Sequence, residues 1–169
     1  MVVVGSGSIG SEFAYFYNSL GTKVTLVEFL DTIVPLEDEE VSKQLGRSFK
    51  KAGMKVMVSS EVTKVDTKGD KCIVSIKSKK GEEKIEADIV LSAVGIATNL
   101  EGIGLEETGI SVERGKVLVD KFFRTNIEGY YAIGDIVPGP AFAHTASHEG
   151  IICVEKIAGL NPEPVDYKN

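Results

Sequence analysis

The sequence predicts an α/β fold: a parallel sheet interrupted by an antiparallel β-meander, then a smaller strip of strand and helix. Three observations predict it. The β-branched run Val2, Val3, Val4 enters the glycine-rich stretch Gly5-Ser6-Gly7-Ser8-Ile9-Gly10. Apolar residues at spacings of three and four follow, and a second apolar run, Val24 to Val27, closes a strand, turn, helix, strand unit that requires parallel strands and a right-handed crossover. From Val62 onward short alternating stretches replace that rhythm.

Taken in order, residues 1–4 read as a buried strand. Ile9, Phe13, Phe16, Tyr17 and Leu20 mark a helix stopped by Gly21. Residues 24–27 form the second strand, ending in Glu28. Val41, Leu45, Phe49 and Ala52 trace one face of a second helix, ended by Gly53 and followed by a third strand over 55–58. Cys72, Val74 and Ile76 interleave with the more polar Ser75 and Lys77, and Lys79-Lys80-Gly81 supplies a turn, so this region reads as antiparallel hairpins. The continuous apolar run from Ile89 to Val94, ended by Gly95, suits a return to the parallel sheet. Residues 96–119 read as loop, Tyr130 to Ile133 as a short strand, and Ala143 to Ala158 as a helix before the Pro-rich end Asn161-Pro162-Glu163-Pro164.

The chain has 169 residues, enough for one domain or for pieces of two. Its 43% apolar and 26% charged content is that of a globular protein. A net charge of −6 is the wrong sign for an electrostatic nucleic-acid surface. Cys72 and Cys153 match no CxxC or zinc spacing and read as reduced core thiols. No apolar run reaches the ~18 residues of a membrane span, and no cleavable leader pattern is present, so the expected location is cytoplasmic. The abrupt Met-Val-Val-Val start is read as the mark of a piece of a longer protein.

Gly5, Gly7 and Gly10 fit G-x-G-x-x-G, a weak signal alone and a stronger one between a strand and a helix. The first glycine permits the turn, the second leaves room for a pyrophosphate, and the third lets helix and strand pack closely. Phosphate oxygens would then meet the unpaired N–H groups at the positive end of the helix. Glu28 follows Gly10 at close to the spacing expected for a carboxylate that accepts from a ribose 2′-hydroxyl. It would repel a 2′-phosphate, and Phe29, Leu30 and Asp31 supply no cation, so NAD(H) is expected rather than NADP(H). The blander reading is a turn that only allows packing, with Glu28 solvated. Glu12 reads either as a first-turn acid favouring the helix dipole or as a functional group.

Two blocks carry a resemblance. VVVGSGSIGSEFA (2–14) with GTKVTLVEFLDTIVP (21–35) resembles the NAD-binding domain of the flavin-dependent pyridine nucleotide-disulfide oxidoreductases. YYAIGDIVPGPAFAHTASHEG (130–150) resembles that family's flavin-binding segment, in the form found in its dihydrolipoamide dehydrogenase branch. Between them, ADIVLSAVGIATNLEGIGLEETGI (87–110) is similar to the strand and loop that close the NAD domain. The resemblance implies a Rossmann-like NAD-binding domain over 1–119. Residues 120–169 would be the C-terminal part of an FAD-binding domain and the start of a linker to a dimerisation domain.

By the same resemblance, Gly5, Ser6, Gly7, Ser8, Ile9, Gly10 and Glu12 would line NAD along its pyrophosphate and nicotinamide side. Glu28 would meet the adenosine ribose, Val62 the adenine and Gly95 the nicotinamide end. Asp135 would hold the FAD ribityl chain, with Ala141, Phe142, Ala143 and His144 along the flavin. The family's equivalent of Glu12 pairs with a lysine beside the redox disulfide. The implied parent enzyme oxidises dihydrolipoyl groups carried by a lipoyl-bearing acyltransferase or a glycine-cleavage carrier, passes electrons through a disulfide and FAD to NAD+, and is a homodimer.

The chain departs from the family where Gly95-Ile96-Ala97-Thr98-Asn99 replaces a Gly-Arg-Arg-Pro-Asn motif. It also lacks the FAD-binding glycine motif, the C-x-x-x-x-C pair and the His-Glu acid/base pair, so no catalytic residue is expected here and the chain alone is expected to be inactive. His144 and His148 share helical spacing, but the H-E-x-x-H order is absent and no metal is expected. The rivals are another flavin disulfide reductase, of the mercuric or coenzyme A disulfide type, and a stand-alone NAD-sensing Rossmann module.

Overall fold

The computed structural model describes residues 1–168, which form two compact units, Met1–Ile96 and the unit beginning at Ala97. In the first, β1 (Val2–Val4), α1 (Ser8–Ser19), β2 (Thr25–Val27), α2 (Glu39–Lys51) and β3 (Lys55–Met57) alternate as expected. A meander of β4 (Ser60–Asp66), β5 (Cys72–Ser78) and β6 (Gly81–Ala87) follows, and β7 (Val90–Ser92) returns to the sheet. All pairings in the main sheet are parallel, in the order β3-β2-β1-β7, with Val3 opposite both Leu26 and Leu91. The meander is antiparallel throughout, with a register shift between Val62 and Lys64.

Side-chain alternation along the strands builds two cores. Val3 and Leu26 pack with Ala14, Ile33, Phe49 and Met54 on the helical face. Val2 and Val27 pack with Val74, Ile76 and Ala87 of the meander on the other. Asp38 caps α2 by accepting the Glu40 N–H at 2.8 Å, with acids in its first turn and Lys50 and Lys51 in its last, as the helix dipole favours.

The faces of the two helices differ from expectation. On α1 the buried residues are Gly10, Ser11 and Ala14, while Phe13, Phe16 and Leu20 are exposed. Small residues let α1 lie close on the sheet, and that requirement overrides the apolar stripe. On α2 Phe49 is buried, but Val41 is exposed and Ser42 takes a buried place, its hydroxyl donating to the Val34 carbonyl at 3.2 Å.

The second unit holds α3 (Leu105–Thr108), the hairpin β8 (Val112–Glu113) and β9 (Lys116–Val117), a 3-10 turn (Gly134–Ile136) and α4 (Ala143–Ile157). The stretch expected to be loop thus contains a short helix, bounded by left-handed Gly104 and Gly109, and a hairpin turning on Arg114 and Gly115, at φ +51° and +75°. Residues 130–133, expected as a strand, make only the single antiparallel bridge Arg124 to Tyr131. Phe123, left-handed at φ +68° and buried, sits beside Arg124 where regular pairing stops. The unit has two small cores, one around Val117, Ala132 and Val137 and one around Phe123, Ile152 and Cys153. Among the described residues no helix is long and apolar enough to cross a membrane.

Candidate functional site

The carboxyl ends of β1, β2 and β7 lie side by side, because the strands are parallel and in register, and open sheets of this kind bind ligands at that edge. Gly5 sits at the end of β1 with φ +91°, and a Cβ there would lie 2.4 Å from the Ala93 carbonyl oxygen, so only glycine fits. Gly10 is tighter: a Cβ would lie 2.0 Å from the Gly5 carbonyl oxygen. Gly7 is the opposite case. As N-cap of α1 it faces open space, with nothing beyond its own chain neighbours within 4 Å of where a Cβ would be, and no side chain caps the helix. Ser8, Ile9 and Gly10 therefore begin a helix whose first N–H groups have no intrahelical partner, in front of a cleared space. A phosphate suits that donor set.

Glu28 is not solvated. It is 7% exposed, and its Oε2 accepts both the Ser6 N–H and the Ser6 hydroxyl at 2.7 Å, while Oε1 accepts the Leu30 N–H at 2.9 Å. Its backbone bridges to the meander: the Glu28 N–H donates to Met57 and its carbonyl accepts from Ser60. Val62 follows at the start of β4, partly buried against the Val2 and Val27 core. Gly95 is exposed past the end of β7, at φ +134° with nothing near its Cβ position. The fold thus brings Gly5 to Gly10, Glu28 and Gly95 to one sheet edge, with Val62 beside Glu28 along the chain's path.

Glu12 stands apart. It is exposed in the second turn of α1, and the first turn contains no acid, so the helix-dipole role does not apply. With Ser11, Tyr15, Leu45, Phe49 and Ala52 it lines a nearly apolar cleft between α1 and α2 of about 370 Å³.

In the second unit, Asp135 is exposed in the 3-10 turn, immediately after Gly134 at φ +75°. Its backbone carbonyl accepts from the Lys116 ammonium. Partly buried Ala141 leads to Phe142, the N-cap of α4, and no side chain caps the helix, which starts at Ala143. The Phe142 ring stacks on His144, centroids 5.4 Å apart and 9° from coplanar, leaving both exposed. His144, His148 and Tyr167 line one groove. The uncapped N-terminus, flat aromatic pair and exposed carboxylate fit an extended ligand with a planar ring and a hydroxylated chain.

Sequence reasoning missed what fixes this turn. Glu149, on α4, is 1% exposed. Its Oε2 accepts the Gly134 N–H at 2.6 Å and its Oε1 the Tyr167 hydroxyl at 2.7 Å. Burial, and secondarily the Glu149 carboxylate, push the Tyr167 hydroxyl up to about 12, so it remains a donor across the neutral range. The available signal was the acid in the AH-x-A-x-x-EG block, which says nothing about where its side chain goes.

Comparison with known proteins adds three findings. The family model described as pyridine nucleotide-disulphide oxidoreductase matches residues 1–150. The chain is 45% identical to a dihydrolipoyl dehydrogenase of Rhizobium etli, over 98% of the chain and 35% of that protein, and 42% identical to the mitochondrial dihydrolipoyl dehydrogenase of Pisum sativum, over 94% and 32%. Among solved structures it superposes on LpdA from Mycobacterium tuberculosis with a TM-score of 0.86 and 32% identity, covering 98% of this chain and 36% of that one. The chain therefore spans about a third of the length of the relatives it matches.

Proposed function

The chain belongs to the pyridine nucleotide-disulphide oxidoreductase family, and on that premise we propose that it is the NAD(H)-binding portion of a dihydrolipoyl dehydrogenase, joined to a C-terminal strip of the FAD-binding domain. The nucleotide-binding part runs to about residue 119 and the flavin-contacting part from 120, a division by ligand that differs from the packing division at Ile96. The observation that carries the reading is the arrangement at Gly7 and Glu28: a helix start with open space before it, beside a buried carboxylate at the next strand end.

NAD and FAD, when bound, supply hydride and electron transfer. The residues supply binding and orientation. The N–H groups of Ser8, Ile9 and Gly10 receive the pyrophosphate, and Gly5 and Gly10 hold the strand and helix close enough to aim them. Ser6 orients Glu28, which accepts from an adenosine ribose hydroxyl and repels a 2′-phosphate. Val62 lies against the adenine and Gly95 leaves room for the nicotinamide end, while Glu12, exposed on α1 away from the glycine turn, would act only through a group that the flavin side of the whole enzyme brings to it. Asp135 holds the ribityl chain, and Ala141, Phe142, Ala143 and His144 pack along the ring. The uncapped start of α4 would offer the positive end of its helix dipole to a flavin held there, which would favour the negative charge gained on reduction.

In the whole enzyme the partners are NAD(H), a lipoyl-bearing acyltransferase or glycine-cleavage carrier, and a second copy of the protein, in the cytoplasm. The 169-residue chain alone has no dihydrolipoamide turnover. The test is titration of the chain with NADH and NADPH, wild type and Glu28→Ala. NADH binds more tightly to wild type and the preference shrinks in the variant; a wild-type preference for NADPH defeats the reading. Detectable lipoamide or diaphorase turnover by the pure chain defeats the claim of inactivity.

A further inference from the structure

Ser6 has every polar group engaged inside the protein. It is fully buried; its N–H and hydroxyl both donate to Glu28 Oε2, and its carbonyl accepts the Val34 N–H at 2.9 Å and the Ser11 hydroxyl at 3.0 Å. Val34 in turn is held at φ +41°, a region that a β-branched residue occupies only when its surroundings fix it, and its carbonyl is taken by the buried Ser42 hydroxyl. The glycine turn, the end of β2 and the loop into α2 are thereby tied at one residue. A packing role for the turn needs only the three glycines. It does not need a hydroxyl at Ser6, nor two donors on one carboxylate oxygen.

The count of acceptor positions shows the consequence. A carboxylate offers roughly four. Ser6 fills both on Oε2 and the Leu30 N–H takes one on Oε1, which leaves a single acceptor, on Oε1, for anything outside the protein. Rotation of the carboxylate would break charge-assisted bonds inside a desolvated site, so that acceptor has one direction.

We propose that Ser6 is a positioning residue for nucleotide selection: its hydroxyl locks Glu28 so that one oxygen alone faces the adenosine ribose. This rests on the reading of the glycine turn and Glu28 as the NAD(H) site. Without the hydroxyl, Glu28 keeps its charge but samples other orientations, so it holds a ribose hydroxyl less well and opposes a 2′-phosphate less directly.

The test is a double-mutant cycle on the 169-residue chain with Ser6→Ala, Glu28→Gln and the double variant, reading Kd for NADH and NADPH together with the melting temperature. Ser6→Ala is expected to weaken NADH about 10-fold and to narrow the NADH over NADPH preference, and to have no further effect on either when Glu28 is already Gln. Ser6→Gly, which lacks the same hydroxyl, repeats the measurement should the alanine variant fold poorly. A lower melting temperature with unchanged affinity and preference would mean a purely structural Ser6 and would overturn the proposal. So would an effect of Ser6→Ala that persists undiminished in the Glu28→Gln background. If Glu28→Gln itself leaves affinity and preference unchanged, the NAD(H) reading of this edge falls first and the Ser6 role falls with it.

Discussion

Substituting the glycines of the turn one at a time separates what holds the fold from what receives the ligand. At Gly10 an alanine Cβ would sit 2.0 Å from the Gly5 carbonyl oxygen, with the Ala93 Cβ at 3.3 Å on the other side. Carbon and carbonyl oxygen approach comfortably at about 3.3 Å, so α1 and the end of β1 must part by about 1.3 Å. Neither obstruction is a flexible side chain, so the strain falls on backbone. Overpacking of that kind costs about 1–3 kcal/mol or more, and close packing by Gly10, Ser11 and Ala14 is lost along the helix with it. The helix-propensity gain of alanine returns at most about 1 kcal/mol. A net loss of about 2 kcal/mol is a large share of a stability near 5–15 kcal/mol and lowers the melting temperature of a unit this size by roughly 8–16 °C. At Gly7 the same substitution meets nothing within 4 Å beyond its own chain neighbours, and φ is −60°, which alanine adopts freely. Gly7→Ala should cost about 1 kcal/mol or less, the ordinary penalty at an N-cap, while abolishing NADH binding by filling the space the pyrophosphate needs. Thermal unfolding and NADH titration of both variants make the comparison. A Gly10→Ala protein that melts with wild type, or a Gly7→Ala protein that binds NADH unchanged, would contradict this division of roles between the two glycines.

Three further outcomes concern side chains of the second unit, the last in comparison with Cys72 of the first. Glu149→Ala removes the acceptor of both bonds, leaves the Gly134 N–H unpaired and should cost about 2 kcal/mol or more in urea unfolding; an unchanged midpoint would show the contacts to be dispensable. The Tyr167 hydroxyl is raised to about 12 in the fold against about 10 when unfolded. Its contribution is therefore fully present below pH 10 and declines between pH 10 and 12, and Tyr167→Phe should flatten that part of the stability profile. Cys153 is 5% exposed, with its thiol pushed up by burial and then by the Asp120 carboxylate, whereas Cys72 is only partly buried. A thiol reagent at neutral pH should therefore modify Cys72 well before Cys153; equal rates would contradict the packing around Phe123 and Ile152.

The parallel sheet was readable because its strands are short β-branched or apolar runs set off by glycines, and because G-x-G-x-x-G demands a strand before it and a helix after it. The meander was readable from alternation at Cys72, Val74 and Ile76. What escaped depends on tertiary distance. Phe13, Phe16 and Leu20 have the spacing of a buried face, yet the close approach of α1 to β1 selects Gly10, Ser11 and Ala14. The hairpin of β8 and β9 turns on Arg114, a residue with no turn signature of its own, held left-handed beside Gly115. Of the candidate site, the glycines and Glu28 were readable as a spacing, and Asp135 with Ala141 to His144 only through resemblance. The roles of Ser6 and Glu149 lie in hydrogen bonds across 22 and 15 residues of chain, which no local pattern encodes.

Every role proposed in the first unit depends on the glycine turn between β1 and α1 receiving NAD(H). Backbone amide resonances followed during titration of the chain with NADH test it residue by residue. The largest shifts should fall on Gly5 to Gly10, with smaller ones at Leu30, Val62 and Gly95, while α2 and the β5 to β6 turn stay still. Saturable binding that leaves Ser8, Ile9 and Gly10 unmoved, or no binding at millimolar NADH, would contradict it.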